Sequence, residues 1–250
     1  MKVNNISTSL HLFSIIFLLS SFQLLHAQSW YRVSNSIDLV IGGDYGFTII
    51  DHYSSYPEEV AEYSNRSQFE TFKLNYRVGL NYIHGMNQNF SLKTGLRFAN
   101  PGFSISGVNP FDPNEDINTI EKEINNTLDR SEYRYNYHFI EVPLALRYTL
   151  TKSYCEPFFE LGVSANYYWR TVVEEIPYEG SMTRTTINEK INKVNYIGFV
   201  SMGGQFPISD QFSGFTQLIA RYQLNNLRAG QLIEKIFGLG IEIGVRRYLN

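Results

Sequence analysis

Residues 158–173 read FFELGVSANYYWRTVV, and the segment divides by parity. The odd positions are Phe159, Leu161, Val163, Ala165, Tyr167, Trp169, Thr171 and Val173. The even positions are Phe158, Glu160, Gly162, Ser164, Asn166, Tyr168 and Arg170. A period of two belongs to a β-strand whose faces meet different surroundings. Phe72, Leu74, Tyr76, Val78, Leu80 and Tyr82 alternate in the same way with Lys73, Asn75, Arg77, Gly79 and Asn81. So do Phe90, Leu92, Thr94, Leu96 and Phe98 with Ser91, Lys93, Gly95, Arg97 and Ala99, and Phe237 to Val245 with Gly238 to Arg246. Eight such segments follow one another, at roughly 36–49, 69–83, 90–104, 133–150, 156–173, 193–206, 212–225 and 235–249. The segment at 193–206 is the least regular, because Ile197 and Phe199 stand on its polar side.

The connectors alternate long and short: 50–68, 84–89, 105–132, 151–155, 174–192, 207–211 and 226–234. The short ones carry turn residues, as in His84-Gly85-Met86-Asn87-Gln88-Asn89 and Pro207-Ile208-Ser209-Asp210. Strict alternation gathers the long loops at one end and both termini at the other. The fold expected is therefore all-β, an eight-stranded antiparallel up-and-down sheet able to close into a barrel. Within the second long loop, Ile117, Ile120, Ile124 and Leu128 recur at helical spacing after the capping candidates Asp112 and Asn114. A short helix over the barrel mouth and a solvated loop both fit that pattern.

Which face points inward separates a soluble barrel from a transmembrane one. The polar sets contain Lys73, Arg77, Lys93, Arg97, Glu141, Arg147, Glu160, Arg170, Arg221, Glu242 and Arg246, interleaved with glycines 79, 95, 162, 238, 240 and 244. Glycine weakens a strand and gains nothing on a solvated face, but it leaves room for long side chains crossing a narrow lumen. The apolar sets carry Tyr76, Tyr82, Tyr148, Tyr167, Trp169, Tyr196 and Tyr222 toward strand ends, the pattern of aromatic girdles at two membrane interfaces. Charged residues are 18% and aromatics 15%, which is low and high respectively for a soluble domain. Mean hydropathy is −0.22, which argues against a helical membrane protein and leaves a barrel open. The expectation is a transmembrane β-barrel with odd residues of 158–173 against lipid and even residues in a packed polar lumen. There Glu160 and Arg170 would meet opposite charges, and the basic residues of 69–99 would serve Glu141, Glu160 and Glu242. Eight strands leave an interior just wide enough for side chains, so a closed lumen is expected rather than a pore.

The N-terminus has Lys2, an apolar run over 12–25 and then Ala27-Gln28. This pattern predicts a secretory signal over residues 1–27 and one barrel domain over 28–250. Cys155 is the single cysteine, so an internal disulfide is excluded.

The stretch FIEVPLALRY at 139–148 resembles one typical of PorT-like outer-membrane β-barrel proteins of Bacteroidetes, carried here by Glu141, Pro143, Arg147 and Tyr148. The Ala27-Gln28 junction and the glycine-spaced last strand GLGIEIGVRRYL are similar too, whereas the chain ends Tyr248-Leu249-Asn250 instead of on an aromatic. The resemblance implies a cell outer membrane location and no single activity. Physically, Pro143 removes a ladder donor, so an irregularity is expected beside it.

The sequence offers little for catalysis. Beyond the signal the histidines are His52, His84 and His138, and only Asp51-His52 with His138 could meet near the mouth. No phosphate loop, zinc spacing or calcium loop is present, so no cofactor and no metal is expected. Asp112, Glu115, Asp116, Glu121 and Glu123 read as a solvated loop face rather than a calcium site. Net charge is −3, which gives nucleic acid no footing. The expected partners are outer-membrane lipid and other envelope proteins met through the loops. The function expected is structural, adhesive or secretion- and assembly-accessory, with a small-solute channel or a loop-based enzyme as alternatives.

Overall fold

The computed structural model describes residues 35–52, 70–106, 132–150, 155–177, 180–187, 191–228 and 232–249. Its strands are β1 (Asn35–His52), β2 (Glu70–Thr71), β3 (Lys73–Gly85), β4 (Phe90–Asn100), β5 (Gly102–Ser106), β6 (Glu132–Thr149), β7 (Glu156–Ile176), β8 (Thr183–Ile187), β9 (Val194–Pro207), β10 (Phe212–Gln223) and β11 (Leu232–Leu249). The predicted signal, the candidate helix and the acidic loop residues lie outside the described residues, as does the side chain of His52.

Eight of these strands form a ring of antiparallel ladders in the order β1, β3, β4, β6, β7, β9, β10, β11. It is closed by β11 against β1 from Asn35↔Leu249 to His52↔Leu232. Closure pairs every wall strand on both sides, which matters because an unpaired backbone group in hydrocarbon costs several kcal/mol. The eight segments read from the alternation are these ring strands. β2 and β3 form one of them, interrupted at Phe72; β4 and β5 form another, interrupted at Pro101. Proline brings no N–H to a ladder, and the Pro101 carbonyl accepts from the Tyr137 amide at 2.9 Å instead. β8 was not expected: it lies in the connector read over 174–192 and pairs with the end of β7. Its sequence TRTTI lacks alternation, but the β-branched threonines suit an extended edge.

The three short connectors stand at one end. Met86 and Asn87 N–H donate to the Phe90 carbonyl at 2.9 and 3.1 Å, while Ile208 and Ser209 N–H both donate to that of Phe212 at 2.9 Å. Leu150 N–H donates to the Pro157 carbonyl at 2.8 Å across the third. β6 and β7 have 18 and 21 residues, against about 9–11 for a membrane-crossing strand. Their excess rises at the loop end, where β5 and β8 pair along it.

Sidedness follows the alternation. Phe72, Leu161 and Ile241 are 66%, 68% and 52% exposed, whereas Arg77 and Glu242 are 5% and 1% exposed. Tyr76, Tyr82, Tyr148, Tyr167, Trp169, Tyr196 and Tyr222 all face outward. The rule breaks between β6 and β7. The β6–β7 register runs Phe139↔Tyr168 and then His138↔Arg170, so Trp169 is the extra residue of a bulge. Arg170 therefore does not enter the lumen, contrary to its parity; it is exposed, with its guanidinium 4.9 Å from the Trp169 ring centre. Thr171 takes the inward position instead and is fully buried, and Val173 packs on the apolar interior rather than facing lipid.

At Pro143 the register holds on both sides, and the β4–β6 ladder skips Gly95 and Leu96 opposite it. The missing donor is absorbed as a ladder gap rather than a bulge.

The interior is also less uniformly polar than the sequence predicted. Ala99, Phe103, Ile105, Tyr135, Tyr137, Phe139, Tyr168, Ile191, Leu227 and Ile236 form an apolar plug at the loop end. Two smaller clusters, Val40 with Phe158 and Phe215, and Ala145 with Phe199 and Ile219, lie deeper. Of the irregular residues of β9, both buried inward, Phe199 packs with Ala145 and Ile219, whereas Ile197 lines a small cavity beneath the plug.

Candidate functional site: a ring of charges beneath a closed mouth

Each inward charge stands on a strand whose alternation aims it at the axis, and the shear of the barrel sets which charges meet. Asp44 on β1 pairs with Arg77 of β3, and Arg77 Nε lies 3.3 Å from Glu141 of β6. Glu141 lies 3.7 Å from Arg97 of β4, and Arg97 lies 3.2 Å from Glu242 of β11. Glu242 pairs with Arg221 of β10, whose Nη1 returns to Asp44 at 3.0 Å. The six residues form a closed ring of alternating sign across the lumen, each contacting two opposite charges. Buried ions persist only when paired and hydrogen-bonded, and here Asn75 Nδ2 donates to Asp44 at 2.9 Å and Gln217 Nε2 to Glu242 at 2.6 Å.

A second group lies nearer the turn end. Glu160 receives Lys93 Nζ, Arg147 Nη2 at 2.6 Å and Ser201 Oγ at 3.1 Å. The Arg147 guanidinium carbon stands 3.9 Å from the centre of the Phe158 ring, whose face favours a cation. Arg246 makes a two-point contact with Asp38, Nε at 2.8 Å and Nη2 at 3.0 Å, and its Nη1 donates to Gln205 at 2.6 Å. Lys73 sits apart from these groups, donating to Asn75 Oδ1, the Asn100 carbonyl and Asn100 Oδ1 at 3.1, 3.2 and 2.7 Å.

The structure thus places Lys73, Arg77, Lys93, Arg97, Glu141, Arg147, Glu160, Arg221, Glu242 and Arg246 inside, and Arg170 outside. Sequence reading missed Asp38 and Asp44, two acids that hold three of the arginines. The signal was present: Ser36, Asp38, Val40, Gly42 and Asp44 share the inward parity of β1 against Ile37, Leu39, Ile41 and Tyr45. Glycine makes the crowding possible. A Cβ at Gly42 would lie 2.5 Å from Cγ of Glu242, and one at Gly79 would lie 2.7 Å from Cγ of Arg97.

Above the ring, the described ends of two connectors, residues 191–192 and 226–228, meet one another. Ile191 bridges Arg228, Asn192 N–H donates to the Leu227 carbonyl at 2.9 Å, and Arg228 pairs with Glu234 at 2.9 Å. Leu227, Ile191 and Ile236 are thereby pressed onto the aromatic residues of β5 and β6, where Phe103 stacks on Tyr135 at 4.8 Å. At the extended rim Glu132 accepts from Arg134 Nε at 2.8 Å and Ser104 Oγ at 2.5 Å. The Arg134 hydrogen bonds hold the Glu132 carboxyl below the usual range, against a smaller opposing effect of burial.

His84 and His138 stand at opposite ends, and the expected meeting of His138 with Asp51-His52 turns on side chains outside the described residues. His84 Nδ1 is 2.8 Å from Asn35 Oδ1 at the turn end, while His138 stacks on Phe98 at 5.4 Å toward the loop end. Among the described residues no group of three or more His, Cys, Asp or Glu is arranged to hold a metal.

No curated protein matches the chain. Among solved structures it is similar to Neisserial surface protein A, at 10% identity and a TM-score of 0.45 over 86% of this chain and 97% of that one. It is similar to the outer membrane protein OprG from Pseudomonas aeruginosa, at 10% identity and 0.46 over 90% and 100%. A third likeness, to the attachment invasion locus protein Ail of Yersinia pestis, has 13% identity and 0.32 over 85% and 99%. Residues 26–229 match a family model described as outer membrane protein beta-barrel domain, which covers most of the chain and places it in the outer membrane. The chain belongs to this family of outer membrane β-barrel proteins.

Proposed function

We propose that this protein is a non-conducting, non-enzymatic outer-membrane barrel that acts through its loop-end surface, in a structural, adhesive or secretion- and assembly-accessory role. The observation that carries this reading is the filled interior. The charge ring crosses the lumen, and the plug of Phe103, Tyr135, Tyr137, Phe139 and Leu227 closes the mouth above it. A solute would have to separate buried ion pairs and displace packed aromatics to pass. The wall extension formed by β5, β6, β7 and β8 supports the surface role, because it raises ordered backbone beyond the length a membrane requires.

The partners in this reading are outer-membrane lipid along the apolar band and envelope proteins at the loops. The finer kinship with PorT-like barrels of Bacteroidetes belongs to the same proposal. It is supported by the roles of the shared residues: Glu141 and Arg147 pair with inward charged side chains, Pro143 interrupts a ladder, and Tyr148 faces outward.

Planar bilayers test the closed lumen. Purified full chain is expected to give no unitary conductance at loads where a porin control conducts, and steady channel steps would overturn the reading in favour of a small-solute channel. Cross-linking on intact cells tests the surface role, with envelope proteins expected in the captured set only when the loop-end residues are present.

A further inference from the structure

Asn166 of β7 is 1% exposed, yet neither its Oδ1 nor its Nδ2 finds a hydrogen-bond partner in the protein. Its neighbours on both sides are already engaged. Across the ladders it faces Glu141 and Asn195. Glu141 is held by Arg77 and Arg97. Asn195 donates to the Asn192 carbonyl at 2.7 Å and accepts from Gln223 at 3.1 Å, while Gln223 Oε1 accepts from the Ile236 amide at 3.3 Å. The Asn166 amide opens instead onto a cavity lined by Asp44, Arg77, Arg221, Asn195, Phe139 and Ile236, with room for about one water-sized molecule. The cavity adjoins the charge ring through Asp44, Arg77 and Arg221, and the plug through Phe139 and Ile236.

We propose that this cavity is a binding site for a single internal water molecule, held by Asn166 and the Asp44–Arg77–Arg221 side of the ring. The lining selects a neutral ligand that both donates and accepts. Water donates to Asn166 Oδ1 or accepts from Nδ2, and its remaining capacity serves the Asp44 carboxylate or an arginine N–H. A halide would satisfy only the donors and would sit beside Asp44. A metal cation would satisfy only the acceptors and would sit beside Arg77 and Arg221. An apolar ligand would leave the Asn166 amide desolvated. Packed aromatics on one side and ion pairs on the other make this a sealed site, so its water exchanges far more slowly than surface water.

The test uses the full chain folded in detergent. A crystal structure grown with bromide is expected to show one oxygen-sized peak within hydrogen-bond distance of the Asn166 amide and of Asp44, Arg77 or Arg221, without anomalous signal. A dry cavity, or an anomalous peak at Asn166, overturns the proposal. Oxygen-17 relaxation dispersion gives the second reading. The wild type is expected to hold one more long-lived water than Asn166→Leu, whose folded state is checked by its gel shift on heating. An equal count in the two folded proteins overturns the proposal, and if the variant does not fold the wild-type crystal decides alone.

Discussion

A guanidinium inside a barrel is tolerated only while acceptors surround it, and Asp38–Arg246 isolates that requirement. Both are 5% exposed or less, and Asp38 supplies two of the three acceptors that Arg246 uses. Asp38→Leu is expected to lower unfolding stability by about 3–5 kcal/mol, since it leaves a buried charge uncompensated. The double variant Asp38→Leu/Arg246→Met is expected to recover most of that, because two apolar side chains of similar bulk need no partner. Urea unfolding in lipid vesicles measures both, and a double variant no more stable than the single one would refute the pairing. Arg170→Ala gives the contrast: its side chain lies outside, so a change within about 0.5 kcal/mol is expected. Parity assigned Arg170 and Arg246 to the same class. Parity is a statement about neighbours along one strand, and a single inserted residue between Tyr168 and Arg170 reverses it. Asp38 failed differently. Its inward parity was legible, whereas the residues it would meet come from strands more than two hundred positions away.

At the scale of elements, strand existence and order were legible because a lipid-facing sheet must alternate along nearly its whole length. The parts that escaped are those not in contact with lipid. β8 lies on the rim, where water or protein covers both faces and no alternation is required. The plug escaped for a related reason. Phe103, Tyr135, Tyr137 and Phe139 are apolar residues on the inward face, and above the ring the lumen is closed by packing rather than charge. The rim carries its own pH dependence. The folded pKa of Glu132 is lowered chiefly by the Arg134 hydrogen bonds. Its contribution is therefore fully present above the ordinary glutamate range, about 4.3, and is lost as pH falls through the lower folded value. Amides of β5 and the first residues of β6 are expected to lose hydrogen-exchange protection below that range, while those of β1 and β11 keep theirs. Glu132→Gln should show the looser rim already at neutral pH. Unchanged protection at the rim in acid would remove Glu132 from this role.

For the whole molecule, the alternation of long and short connectors fixes an orientation, and Cys155 reports on it. This thiol is exposed in the short connector between β6 and β7, at the end opposite the raised rim. With loops outside, it faces the periplasm. A membrane-impermeant maleimide should therefore leave Cys155 unlabelled on intact cells and label it once the outer membrane is permeabilised. Partial burial, and then the neighbouring Glu156 carboxylate, raise the thiol pKa above its ordinary value. Only the thiolate attacks the maleimide, so labelling after permeabilisation should be slow at neutral pH and accelerate as pH rises. Met182, exposed on the rim before β8, supplies the opposite reporter. Met182→Cys in a Cys155→Ser background should label on intact cells without permeabilisation. Labelling of Cys155 on intact cells, with Met182→Cys silent, would invert the barrel and put the plug and the raised rim in the periplasm. The closed mouth would then face the periplasm, and the proposed role at the cell surface would fall.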